Sequence, residues 1–195
     1  NLILIVMKSQ SILVKIAFTL IIFGCNKTIE NRDNENSTAS KGNAQPFFIY
    51  DNIDYYHKIF ELNQSGTESY YNENVTTELD SLKFNVTVGR IPQRLSDTTF
   101  IKDLDKIGYT KIHIPVEKRE ELGVIFTKKN RPSEPKDAVK PIFYDILIFR
   151  KNNKIVGISK LSIKNLQTRV IGSKYNTDYF PTNAEHKKIE KILYH

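Results

Sequence analysis

The feature that most limits what this chain can fold into is the apolar run at residues 12–23. It ends in Gly24-Cys25 and gives way at once to a stretch with almost nothing apolar in it. The run has 12 residues, short of the roughly 20 that cross a bilayer as a helix. Lys8 places a positive charge just ahead of it. Read from Met7, the only methionine, the pattern is that of an export signal; residues 1–6 then lie upstream of the expected start and residues 1–24 take no part in the fold. Residues 26–45 (NKTIENRDNENSTASKGNAQ) offer only Ile29, Ala39 and Ala44 as apolar side chains. Such a segment buries too little to offset the entropy of ordering, which predicts a flexible tether over 25–45 reaching roughly 25 Å. What remains, 46–195, is 150 residues long, enough to bury about two-thirds of its unfolded surface in one core. A single globular domain is expected there.

The tetrapeptide Ile22-Phe23-Gly24-Cys25 resembles the lipobox of bacterial lipoproteins, with an aliphatic residue three before the cysteine and a small one directly before it. It departs from that family at Phe23, where a smaller side chain is usual. The resemblance covers residues 7–25 and implies that Cys25 becomes the first mature residue and carries diacylglycerol and palmitate-type acyl chains. Two acyl chains anchor stably where one binds only marginally. The same residues also admit a buried small cysteine or an uncleaved anchor helix. Cys25 is the only cysteine, so neither a disulfide framework within the chain nor a Cys-rich zinc site can form. The lipobox, the Asn-rich tether and the Lys/Ile/Tyr-rich domain together resemble small uncharacterised lipoproteins of Bacteroidetes-type bacteria. That resemblance implies anchorage in the bacterial cell envelope, on the outer membrane, and specifies no activity.

Within 46–195 the strand signals are clearest late. Residues 142–150 (IFYDILIFR) are rich in β-formers, Asn152-Asn153 offers a turn and 154–163 (KIVGISKLSI) alternates, which predicts a hairpin. Residues 168–172 extend it to a meander. Leu82, Phe84, Val86 and Val88 alternate with polar neighbours and predict a half-buried strand. Helices are expected over 51–62, and after Asp97, where Phe100, Leu104 and Ile107 share a face up to Gly108. Another is expected with Pro115 in its first turn, running towards Phe126. Thr182-Asn183-Ala184-Glu185 reads as a capping box ahead of Ile189, Ile192 and Leu193. The expected class is α+β: a mainly antiparallel sheet with a late β-hairpin or meander and a C-terminal helix.

The formal charge of +7 falls to +5 once Lys8 and Lys15 leave with the signal. Residues 140–195 carry 11 bases against 4 acids, whereas residues 25–139 carry 16 against 18. A basic C-terminal part suits an acidic envelope protein, an anionic glycan or an anionic lipid. An AT-rich coding bias, visible as 25 Ile and 17 Asn against 5 Ala, enriches lysine equally well. Lys154, Lys160 and Lys164 are expected to guard sheet edges. No aromatic-basic signature points to nucleic acid, which is not an expected partner.

Catalytic clusters are few. His57, His113, His186 and His195 form no His-x-x-x-His pair, and no Gly-x-Ser-x-Gly elbow or Gly-rich phosphate loop occurs. No catalytic residue, metal site or cofactor is assigned on this basis. His113 is expected to face outward between two core positions, and His186 and His195 to lie at the surface. Asp103/Asp105 and Glu120/Glu121 read as solvated helix faces. Asp145 interrupts an apolar strand; of a buried pair and the outward face, the outward face is favoured. Tyr175, Asn176, Asp178 and Tyr179, in the loop 174–180 (KYNTDYF), are candidate binding residues, because an aromatic ring buries area while its hydroxyl bonds. Three roles fit. The first is a non-catalytic binding or accessory domain held on the envelope membrane. The second is an inhibitor or immunity-type lipoprotein that blocks an envelope-targeting enzyme. The third is an envelope hydrolase whose Asp, Glu or His side chains assemble only in the fold.

Overall fold

A computed structural model describes residues 45–59, 76–133 and 140–195. The segment expected to be a signal, Cys25 and the expected tether up to residue 44 lie outside the described residues, as do Tyr70 and Tyr71. In chain order the elements are β1 (Gln45–Pro46), β2 (Asn52–Lys58), α1 (Glu78–Thr87), a 3-10 helix (Thr99–Asp103), β3 (Tyr109–Ile112), α2 (Val116–Ile125) and β4 (Thr127–Lys128). They continue as β5 (Asp145–Lys151), β6 (Lys154–Ser162), β7 (Gln167–Ile171) and α3 (Asn183–Tyr194). The main sheet has the order β3-β2-β5-β6-β7, and every neighbouring pair is antiparallel. β1 and β4 pair separately. The fold is therefore α+β with a mainly antiparallel sheet and a C-terminal helix, and β5-β6-β7 form the anticipated meander. Asn152 and Asn153 turn the hairpin with φ of 49° and 63°, a left-handed pair that Asn tolerates better than most residues.

Both faces of the sheet are covered. On one, Ile53, Tyr55, Leu147, Phe149 and Leu161 form a core with Leu122 of α2, Ile189 of α3 and Phe47, Phe126 and Phe180. On the other, Ile146, Ile148, Ile158 and Ile171 meet Val86 of α1 and Phe100, Leu104 and Ile107. Phe180 joins the aromatic packing, its ring centroid 5.0 Å from Phe47 and 4.8 Å from Phe126. Gly157 marks where Phe48 lies on β6: a Cβ there would come within 2.3 Å of that ring.

α3 starts as its sequence promised. Thr182 Oγ1 accepts from the Glu185 amide at 3.2 Å, and Glu185 Oε2 accepts from the Thr182 amide at 3.1 Å. Arg131 adds a two-pronged bond to the same carboxylate, at 2.8 and 3.1 Å. Burial pushes the Glu185 carboxyl up, but Arg131 and the cap outweigh it and hold the group below its usual range.

Other expectations are corrected. Residues 52–58 are strand β2, not part of a helix over 51–62. The strand lies between β3 and β5. Ile53 and Tyr55 are buried on one of its faces, and Asp54, paired with Lys111 and Arg150, and Lys58 are buried on the other. Leu82, Phe84 and Val86 lie on helix α1, not on a strand, and Val88 is its C-cap. Thr77 and Asp80 form a capping box, with bonds of 3.0 and 3.1 Å, and Leu82 and Val86 meet the core one helical turn apart. Asp97 does not cap the next segment: it turns back to accept the amides of Gln93 and Arg94, both at 3.0 Å. The segment that follows is 3-10 rather than α, although Phe100, Leu104 and Ile107 are buried and Gly108 closes it at φ 91°. Pro115 stands just ahead of α2 as its N-cap residue, and Gln45, read as tether, already pairs with Lys128.

Lys160 is the largest surprise. It guards no edge, because β6 lies inside the sheet, and it is fully buried. Its Nζ donates to the Val86 carbonyl and, at 2.8 Å, to the Ile91 carbonyl. It thus joins the Gly89 amide as a second donor to the Val86 carbonyl, at the C-terminal end of α1. Burial first, and Arg169 second, depress the lysine pKa well below its usual value.

Candidate functional site

Asp145 is the first residue of β5, opposite His57 in the register with β2. Strand alternation puts it on the same face as Leu147 and Phe149, under the C-terminal turn of α3, and its exposure is 0%. This corrects the expectation of an outward-facing side chain. Three donors converge on the carboxylate. Tyr55 OH donates to Oδ1 at 2.7 Å, His57 Nδ1 lies 2.8 Å from the same oxygen, and Tyr194 OH donates to Oδ2 at 2.6 Å. A buried carboxylate is costly unless it is bonded in this way. Burial, and then the charge of Asp145, push the pKa of Tyr55 and of Tyr194 far up, so both hydroxyls keep the protons they donate.

His57 is the member of this group that meets solvent, with its side chain 25% exposed. A carboxylate offers acceptors, so Nδ1 is the protonated nitrogen toward Asp145 and Nε2 is the nitrogen left over. No described residue hydrogen-bonds that Nε2. The ring is held from the side by Tyr194, edge to face at 5.4 Å. His57 opens on a cleft of about 620 Å³ at the end of the sheet, bounded by Tyr144, Ile163, Lys164, Glu190 and Tyr194. The volume lies within the range of small-molecule sites, and its walls combine apolar and polar side chains in the manner of such sites. The arrangement fixes one imidazole tautomer and leaves the other nitrogen able to bond a ligand or to take a proton from one.

Sequence reasoning did not assemble this group. Every residue around Asp145 in 142–149 is apolar or aromatic, so either strand parity would bury it, and that was the one available signal. Its partners Tyr194, His57 and Tyr55 lie 49, 88 and 90 positions away.

The loop 174–180 is ordered differently from a convergent site. Tyr175 packs part-buried against the core, with the Lys128 and Lys174 ammonium groups over its ring at 5.4 and 5.1 Å. Asn176 and Asp178 bond to each other, Asn176 Nδ2 to Asp178 Oδ2 at 3.0 Å and the Asp178 amide to Asn176 Oδ1 at 2.7 Å, a local turn. Tyr179 is 51% exposed, and with Asn176 it borders a hollow of about 320 Å³ shared with Lys128 and Arg131. The structure brings Asn176 and Tyr179 together there, while Tyr175 and Asp178 do not line it. Cys25, the expected lipidation site, lies outside the described residues.

The remaining histidines are scattered. His113 is exposed beside buried Ile114, with Ile112 itself exposed on its other side, and His195 is exposed. His186 is buried, with Nε2 3.4 Å from Thr168 Oγ1, which corrects the surface position expected for it. Among the described residues no cluster of three or more His, Cys, Asp or Glu side chains could hold a metal ion. No helix among them is long and apolar enough to cross a membrane. No family model matches the chain, and neither does any curated protein or any solved structure.

Proposed function

We propose that this chain is a lipoprotein of the bacterial cell envelope, anchored through Cys25, whose domain acts as a non-catalytic binding or accessory module. Anchorage is supported by Ile22-Phe23-Gly24-Cys25 behind an apolar run too short to span a bilayer. Binding is supported by one observation above all: His57, oriented by a buried carboxylate, presents at the mouth of the 620 Å³ cleft a nitrogen that no described residue bonds. Among the described residues no Ser, Thr or Cys lines that cleft.

Two measurements test this. Intact mass of the protein from its native host, beside a Cys25→Ser variant, reads the anchor. Cleavage before Cys25 with added acyl mass, and release of the variant from the membrane fraction, are expected; an unprocessed mass overturns the anchor. A photocrosslinking residue placed at Tyr144 reads the cleft. Adducts formed in cells and lost on His57→Ala are expected, and adducts unchanged by that substitution overturn the cleft as the binding site.

A second reading, an envelope hydrolase, is favoured by the 2.8 Å His57–Asp145 contact. That contact orients the imidazole as a general base toward a water, as in the histidine–aspartate half of a triad. Turnover of an envelope ester or glycan that vanishes on His57→Ala would establish this reading and displace the non-catalytic one.

A further inference from the structure

We infer that the groove between α2 and α3 docks the domain onto the anionic phospholipid headgroups of the bilayer that holds its anchor, an inference that rests on the lipoprotein reading. The groove encloses about 680 Å³ and is separate from the His57 cleft. Lys118 of α2 and Lys188 and Lys191 of α3 line it and make no ion pair among the described residues. Lys188 and Lys191 stand three apart on α3 and share a face. Lys129 adds a fourth ammonium at the rim, bonded to Glu185 at 3.1 Å. Of the two side-chain carboxylates among the described lining residues, Glu185 is taken up by Arg131 and Lys129, which leaves Glu121 beside Lys118, Lys188 and Lys191. Between the lysines the lining is apolar: Ile125 and Ile192 are buried, and Val124 is 68% exposed. Cations around an exposed aliphatic side chain match a headgroup layer, where phosphates meet the lysines and the valine reaches toward the acyl boundary.

The location of the groove selects a membrane over an acidic protein as its occupant. β1 pairs with β4 in the register Gln45↔Lys128, and the next residue, Lys129, lines the groove. The chain that comes from Cys25 therefore enters the domain beside this basic face. Gln45 stands twenty positions after Cys25, at most about 70 Å of chain. An anchored domain is thus kept at high effective concentration over one leaflet, and a weak electrostatic contact suffices to seat it. Juxtamembrane lysines contribute through exactly the short-range attraction that anionic leaflets exert within a Debye length.

The test uses the mature chain, residues 25–195, with Cys25→Ser so that no acyl chain contributes; both cores draw only on residues beyond Gln45 and are retained whole. Flotation is measured with vesicles of phosphatidylcholine alone and of phosphatidylcholine with phosphatidylglycerol in equal parts. Binding is expected to the second vesicle only and to fall with added salt. Lys188→Ala with Lys191→Ala should weaken it about thirtyfold, at about fivefold for each lysine lost near an anionic surface. Val124→Ser should weaken it further with unchanged circular dichroism. A control pair, Lys83→Ala with Lys102→Ala on α1 and the 3-10 helix over the opposite face of the sheet, should change it less than about twofold. Equal binding to both vesicles, an equal loss in the control pair, or no binding to either vesicle overturns the inference; the last outcome leaves an acidic protein segment as the occupant. The native mass and this flotation are independent. Acylated protein whose lipid-free chain ignores anionic vesicles sinks the docking surface alone, and an unprocessed mass sinks the anchor alone.

Discussion

Replacing Asp145 with alanine tests whether this carboxylate is the pin that joins β2, β5 and α3. The substitution leaves three donors without their acceptor: Tyr55 OH, His57 Nδ1 and Tyr194 OH. They are not equivalent. Tyr55 is 1% exposed, so its hydroxyl finds no water and bears the full cost of an unmet buried donor, about 1–3 kcal/mol. Tyr194, 41% exposed, and His57 can turn to solvent and lose only the net value of a charge-assisted bond, about 1 kcal/mol each after screening. With the cavity left by the side chain, Asp145→Ala should cost about 3–5 kcal/mol. Tyr55→Phe alone should cost about 2 kcal/mol and Tyr194→Phe about 1 kcal/mol. In the double variant Tyr55→Phe/Asp145→Ala the buried donor is absent, so the two costs should fall short of additivity by about 1–2 kcal/mol. The chain has no tryptophan, so urea unfolding is best followed by far-ultraviolet circular dichroism, with m-values checked for constancy. A loss under about 1 kcal/mol for Asp145→Ala, or strict additivity with Tyr55→Phe, would refute the account of the carboxylate as a three-donor hub.

Further outcomes follow from other contacts. Because the buried Lys160 amine has a depressed pKa, the unfolded chain takes up its proton first as pH falls below about 10.4. Stability should therefore drop from that pH down to the folded-state pKa and stay low beneath it, and Lys160→Met should flatten the slope between neutral and alkaline denaturant midpoints. Gly157→Ala places a methyl 2.3 Å from the Phe48 ring and should cost about 1–3 kcal/mol in urea unfolding, with Phe48→Leu restoring part of the loss. Thr182→Ala removes the acceptor of the Glu185 amide and should destabilise the domain by about 1 kcal/mol, read in the same assay.

What could be read from the sequence was what is decided locally. The 145–162 hairpin declared itself because its turn and both strands lie within one short window, and α3 because Thr182 and Glu185 are three apart. β2 was hidden because its alternation is brief: after Asn52-Ile53-Asp54-Tyr55 come Tyr56 and His57, side chains that fit a helix face as readily as either side of a strand. α1 was misread because Leu82, Phe84, Val86 and Val88 happen to alternate, although Thr77 and Asp80 already spelled a cap of the same kind as that on α3. Lys160 looks like any edge lysine until strand order places it inside. The His57 cleft was out of reach for a simpler reason: its parts come from β2, β5 and the last turn of α3, and no local pattern joins them.

Strand order also sets a timetable for folding. β5, β6 and β7 meet through short turns, whereas β2 must wait for β5, with His57 and Asp145 88 positions apart. Closing that long loop costs more entropy than closing the hairpins, so the late meander is the segment best able to form first and β2 joins afterwards. A chain that emerges N-terminus first therefore offers β2 with β3 as its only available sheet neighbour until its last third exists. In the exported lipoprotein proposed above, this ordering would leave the strands that cross the membrane first without β5 until the last third of the polypeptide began to follow.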